Sequence, residues 1–569
     1  MVNKKYDNYT KEELVAELET LKKKKYGLIW DRKNSQEMLD AFVNWENVPE
    51  NFTPKQFPVL KKVEKKEIET DKAKPVNLLI EGDNYHSLAV LNFTHQNKID
   101  VIYIDPPYNT GNQDFIYNDK FIDKEDSFRH SKWLSFMEKR LRLAQKLLKN
   151  TGVIFISIDN NELAQLKMLC DEIFDESNFI NIVALRVSPP NGVKITHAKK
   201  TIIKEKEYLI VYAKNKNKIS FVPQFKKADK WDNHFDKFII KGDKNDSSKW
   251  KVISLKDKLN EIGLKADLED ESFIEWAREN SDNIFQSVGL AKIRGVKKYA
   301  DEKIISIKGM SNYYAYKGRQ VQLLSNSLKQ TDDGNTLSRL LCDLWIDISF
   351  NNLFQEGGVD FKFGKKPISL VKRIIKLSTE NKNAIVLDFF AGSGTSGHSV
   401  LELNKEDNGN RKFILCTNNE AGICSNICYP RLKNAINGYN NKIGLGGNLK
   451  YFETDFVGSD STDKNKRDLV NKSAEMICIK EDIFDLIADG GLDYRIYQKG
   501  KKFLGVIFEI DAIADFEKEA EKHKGNFVVY CFSYTEATPE KEFKGLKNKY
   551  VLKPIPAVIL RIYLEIFKK

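Results

Sequence analysis

The sequence predicts an α/β fold built on a doubly wound, mainly parallel sheet, and three observations carry that expectation. Short β-branched runs from Val76 to Ile80, Val101 to Ile104 and Val153 to Ile158 alternate with helical patterns from Tyr85 to Asn92 and Ser131 to Lys149, the βαβαβ order of a parallel sheet. The same strand, turn and helix pattern returns far along the chain, from Ala384 to Thr395. Between the two blocks, from about residue 214 to 340, the alternation stops and a Lys-rich stretch interleaved with aromatics takes over, which marks an insertion.

Composition bounds the class. At 569 residues the chain exceeds one ordinary domain, and about 150 residues per domain gives roughly three or four units. Hydrophobic residues at 41% are enough to bury a sizeable core, while a net charge of +11 points to an anionic partner, with nucleic acid foremost. The start, Met-Val-Asn-Lys-Lys-Tyr, has no apolar leader, and no later run is long enough to span a membrane, so a cytoplasmic protein without membrane contact is expected. The seven cysteines are scattered, which argues against a disulfide framework. Cys424 and Cys428 lack a second pair or a nearby His, so they read as buried thiols and not as a zinc site.

Taken in order, residues 11 to 25 place Leu14, Val15, Leu18 and Leu21 on one face of an amphipathic helix. Pro49, Pro54 and Pro58 read as an extended connector, and Lys61 to Lys74 as solvated charge. The strand ending at Ile80 runs into Glu81-Gly82-Asp83-Asn84, where Asp83 suits a helix cap and also stands where a cofactor contact belongs.

The strand from Val101 ends at Asp105-Pro106-Pro107-Tyr108, and two residues without an N–H stop any ladder there. In open α/β sheets the carboxyl edge is where ligands sit. An acid, rigid carbonyls and an aromatic ring suit the alkylation of an exocyclic amine, whose lone pair is delocalised into a nucleobase. Asp105 and the Pro106 carbonyl can each take an amine hydrogen, and Tyr108 offers a face on which an extruded base stacks. A plain turn explains a bare D-P-P equally well. Phe115, Ile116, Tyr117 and Phe121 beyond it suit either a base-sized pocket or ordinary core.

Runs from Asn181 to Val187 and Tyr208 to Tyr212 read as antiparallel edge strands. In the insertion, Phe221, Phe225, Trp231, Phe235, Phe238, Trp250, Tyr313, Tyr314 and Tyr316 lie among basic residues, a pattern for phosphate contact and base stacking or for a variable surface domain. The second block ends its strand at Asp388, followed by Phe389, Phe390 and the turn Gly392-Ser393-Gly394-Thr395, and Glu420 lies just past a further strand, placed for ribose hydroxyls. With Gly397 the glycine spacing is also that of a dinucleotide turn. The pairing with D-P-P-Y discriminates, because a methyl donor and a target amine need both sites.

With both motifs in place, the chain resembles the DNA amino-methyltransferases that use S-adenosyl-L-methionine, in the order where D-P-P-Y precedes F-x-G-x-G. It resembles more narrowly the modification subunit of type III restriction-modification systems, through Lys25 to Trp30, Ile80 to Asn84, Asp105 to Asp119, Asp388 to Gly397, Cys416 to Glu420 and Lys472 to Cys478. The resemblance implies that Asp105, Pro106, Pro107 and Tyr108 are catalytic and that Phe390, Gly392 and Gly394 cradle the methionine part of the cofactor. It gives Glu420 the ribose and Asp83 the adenine, with Lys366-Pro367 in the K-P-x-x-L that lies over the cofactor. Asp105, Asp388, Phe389 and Thr395 join them as candidate cofactor contacts, and no metal is required. Ser396 departs from the family's usual Thr without consequence for activity.

The resemblance further implies adenine N6 as target, double-stranded DNA, a second copy of the chain and a restriction subunit with helicase and nuclease parts as partners. No phosphate loop for ATP occurs in this sequence. The expected layout is an N-terminal helical arm and connector over 1–75 and a methyltransferase core over 76–214 and 341–440. A target-recognition insertion over 215–340 interrupts that core, and a C-terminal α/β accessory domain over 441–569 follows it. The alternatives are a DNA-binding specificity subunit without its own activity, and an amino-methyltransferase of cytosine N4 or RNA.

Overall fold

The computed structural model describes residues 10–12, 15, 28 and 30 and most of 56–567, leaving aside short stretches such as 112–114, 188–197 and 290–302. The chain forms two compact units, one of Met1–Val222 with Asp343–Lys569 and the other of Pro223–Cys342. The amphipathic helix read over 11–25 lies outside the described residues, apart from Lys11, Glu12 and Val15.

A ten-stranded sheet organises the first unit. Its strands are β1 (Gln56–Lys62), β2 (Val76–Glu81), β3 (Ile99–Ile104), β4 (Leu148–Ile158), β5 (Phe179–Arg186), β6 (Lys206–Ala213), β7 (Leu344–Trp345), β8 (Ile385–Asp388), β9 (Lys412–Thr417) and β10 (Asn448–Gly458). They lie in the order β1-β10-β2-β9-β8-β3-β4-β6-β5-β7. From β10 to β4 every neighbour is parallel, and β6 turns antiparallel to both β4 and β5. The fold is therefore the doubly wound, mainly parallel sheet that the alternation predicts.

Strand alternation serves two faces. Ile80, Ile102, Ile104, Ile154 and Ile156 share a core with Leu88, Leu91, Trp133 and Leu141. Their sequence neighbours Leu79, Val101, Tyr103 and Phe155 are equally buried, on the opposite face. Helices α1 (Asn84–His95), α2 (Arg129–Leu147) and α3 (Leu163–Phe174) pack side by side, as do α4 (Ile368–Ser378), α5 (Thr395–Asp407) and α6 (Tyr429–Asn437).

Two expectations are corrected. The connector around Pro58 is in part β1, paired antiparallel with β10, with Phe57, Val59 and Leu60 buried. Proline is tolerated because β1 is an edge strand with one partner among the described residues. The segment read as opening the C-terminal domain supplies β10 to the main sheet. Beyond the helix α7 (Asp463–Glu481), the chain builds a separate five-stranded sheet from Asp485 to Ile555.

The second unit holds a six-stranded antiparallel sheet and two short helices, Leu255–Ile262 and Glu271–Glu279. Phe235, Phe238, Trp250 and Tyr316 fill two small cores among its described residues and do not form a stacking surface. A unit this small needs its largest apolar side chains for its own interior. Tyr313 lies outside the described residues. Among the described residues no helix is long and apolar enough to cross a membrane.

Candidate active site

Adjacency of β3 and β8 brings the two motifs together. Val101 pairs with Val386 and Ile102 with Leu387, in parallel, so Asp105 and the turn after Asp388 leave the same edge of the sheet side by side. The chain runs from β8 to β9 in one direction and from β3 to β4 in the other, which opens a crevice at this point.

On the β3 side, the indole of fully buried Trp133 donates to the Pro107 carbonyl at 2.7 Å and fixes the turn. Asn109 closes it in a left-handed conformation, φ 56°. Its side-chain amide donates to Glu162 Oε1 at 2.5 Å and to the Arg129 carbonyl at 3.3 Å. The Tyr108 hydroxyl stands 2.9 Å from Asp105 Oδ1 and 3.1 Å from Glu207 Oε2, with its one proton for either. Lys366 Nζ donates to Tyr108 Oη at 2.7 Å and to Glu207 Oε2 at 2.8 Å, and lies 3.3 Å from Asp105 Oδ1. Burial raises the Asp105 carboxyl above its ordinary range and Lys366 opposes that rise. Lys366, although burial pulls it down, is held above its ordinary value by Asp105 and Glu207.

On the β8 side, the buried Asp388 carboxylate is used within its own turn. It accepts from the Phe390 amide at 3.0 Å and from the Ser396 hydroxyl at 2.5 Å, and burial pushes it up to about 7. Phe389 is fully buried, and its carbonyl accepts from Asn84 Nδ2 at 2.8 Å. The Phe390 ring is half-buried and meets Phe136 at 5.9 Å. Thr395 and Ser393 turn their hydroxyls to the buried Arg431 guanidinium, at 2.7 and 2.9 Å, and Arg431 in turn pairs with Glu356.

Gly394, at φ +79°, caps α5, and a Cβ there would stand 3.0 Å from Cys428 Sγ. Gly392 differs: a Cβ would meet only the Phe390 carbonyl, at 3.9 Å, so its side of the turn is open.

Asp83 caps α1 through the Tyr85 amide at 2.7 Å and receives Arg140 Nη2 at 3.2 Å, while a third of its side chain stays exposed. Pro367 precedes the first residue of α4, and Glu420 stands exposed just past β9. Phe115, read as pocket lining or core, is core, edge-on to Phe136 at 5.2 Å.

Sequence reasoning missed Glu207, Arg140 and Glu162. Glu207 is the second residue of β6, and because β6 runs antiparallel to β4 its first residues lie at the carboxyl edge of the parallel strands. Arg140 carried a signal: it occupies an apolar position of α2, three residues after Met137, and a charge there needs buried partners. It finds them in Asn84 and Asp83, and it stacks 3.6 Å over the Phe136 ring.

Residues 99–427 match the DNA methylase family, and the chain belongs to it. It is 32% identical over 373 residues to a probable type III restriction-modification enzyme HindVI Mod subunit of Haemophilus influenzae, covering 58% of this chain and 48% of that one. It is 31% identical to the type III StyLTI Mod subunit of Salmonella typhimurium, covering 61% and 53%, and 31% identical to the type II methyltransferase M.KpnI of Klebsiella pneumoniae, covering 61% and 82%. The chain thus spans about half the length of the two Mod subunits.

Proposed function

We propose that this chain transfers a methyl group from S-adenosyl-L-methionine to the N6 amine of an adenine turned out of duplex DNA. In this reading it serves as the modification subunit of a type III restriction-modification system, with a second copy of itself and a restriction subunit as partners. The observation that carries the proposal is the cluster of Asp105, Tyr108, Lys366 and Glu207 beside the Gly-rich turn, on neighbouring parallel strands.

The residues present fit that donor. Gly392 leaves the turn open to close backbone approach, Phe390 offers a ring, and Asp83 and Glu420 keep exposed carboxylates suited to amine and hydroxyl donors. A dinucleotide would bring two phosphate charges to a place where Arg140, Arg431 and Lys366 are engaged by Asp83, Glu356 and Glu207. That balance favours a cation over a pyrophosphate.

When bound, the donor supplies an electrophilic methyl carbon: its carbon–sulfur bond breaks as the carbon–nitrogen bond forms, leaving a neutral thioether. Asp105 accepts one amine hydrogen and the Pro106 carbonyl the other, which localises the nitrogen lone pair, and the alkylated nitrogen then gives up one proton to water. Tyr108 supplies the stacking face, held in place by Lys366. The choice of adenine rests on Asp at the head of D-P-P-Y.

The test incubates duplex DNA with methyl-labelled donor and digests it to nucleosides. N6-methyladenine is the expected product. N4-methylcytosine moves the target to cytosine, and an unlabelled duplex under conditions where the chain binds DNA favours a specificity subunit without its own activity.

A further inference from the structure

Lys366 lies 3.3 Å from Asp105, and an ammonium that neutralises this carboxylate weakens it as an acceptor for an incoming amine. Glu207 changes that balance. Its Oε2 stands nearer the ammonium, at 2.8 Å, and Tyr108 Oη shares the same ammonium at 2.7 Å. Side-chain exposure is 11% for Lys366, 18% for Glu207 and 21% for Asp105, so solvent screens these charges only in part. With both carboxylates ionised against one ammonium, the cluster carries one negative charge in excess.

We propose that Glu207 is a positioning residue of the transfer site: it takes the closer share of the Lys366 ammonium, which Asp105 would otherwise hold alone, and leaves the cluster the net negative charge that favours a cationic methyl donor over its neutral thioether product. This rests on the proposed methyl transfer. Without Glu207, Lys366 settles on Asp105, the cluster becomes neutral, and the site's preference for sulfonium over thioether weakens.

Calorimetric titration of the intact chain with S-adenosyl-L-methionine and with S-adenosylhomocysteine tests the inference, using wild type, Glu207→Gln and Glu207→Asp. Glu207→Gln keeps the volume and an acceptor for Lys366 and removes only the charge. The ratio of donor to product affinity is expected to fall roughly three- to tenfold in Glu207→Gln, the scale of one partly screened charge, and to be retained in Glu207→Asp. A merely structural role lowers both affinities alike, so an unchanged ratio overturns the inference while leaving the proposed function standing. A wild-type chain that binds neither ligand overturns the function itself. Should Glu207→Gln fail to fold, a wild-type crystal structure with S-adenosylhomocysteine decides: Lys366 is expected on Glu207, and Lys366 moved onto Asp105 sinks the inference.

Discussion

Asp105 is a carboxylate that burial pushes toward its neutral form and that Lys366 draws back. The proposed transfer needs it ionised and pointed at an amine, so Asp105→Ala is expected to lower methyl incorporation by about 10²-fold or more, the scale of losing one preorganised polar contact at a reacting atom. Binding of S-adenosyl-L-methionine, followed by calorimetry, should stay measurable in the same variant. Asp105 and Tyr108 were legible because an acid, two prolines and an aromatic at a strand end are a rare combination with a chemical use. Glu207 was not, because one acid at the head of an apolar strand reads as a strand boundary, and only the antiparallel insertion of β6 beside β4 carries it to the site.

Among elements, α5 and α3 give the sharper tests. Gly397 lies inside α5 where a Cβ would come 2.7 Å from Leu432 and 3.0 Å from Leu415, so this glycine lets the helix lie close on the sheet. Gly397→Ala should cost on the order of 1–3 kcal/mol in denaturant unfolding, the usual penalty of overpacking, even though alanine is the better helix former. At the head of α3, the fully buried Glu162 accepts from Asn109, and burial pushes its carboxyl from 4.5 up to about 8. Folded Glu162 therefore keeps a proton that the unfolded chain releases, so its contribution to stability is full below about 4.5 and is lost as pH rises toward 8. Glu162→Gln should flatten the fall of melting temperature between those pH values; an unchanged slope contradicts the assignment. The prolines misled the reading of β1, since Pro58 is disallowed in a central strand but not in one whose only neighbour among the described residues is β10.

For the whole molecule, the second unit has its own sheet and cores, and the candidate site is built from the first. Replacing Pro223–Cys342 with a short linker is expected to leave cofactor binding measurable and to abolish methylation of the target sequence; retained sequence-specific methylation places recognition elsewhere. The sequence announced an inserted segment through its change of composition, but hid the use of its aromatics, because Phe238 and Trp250 look the same in a list whether they stack on a base or fill a core. The parallel order was readable from βαβαβ, whereas the placing of β8 beside β3 was not, since strands so distant in sequence carry no local sign of pairing. The most direct measurement is a crystal structure of the chain with S-adenosyl-L-methionine: the sulfonium methyl is expected in the crevice between the Asp105 carboxylate and the Phe390–Gly394 turn. A donor bound away from that crevice, or a nicotinamide dinucleotide filling it in preference, would contradict the account.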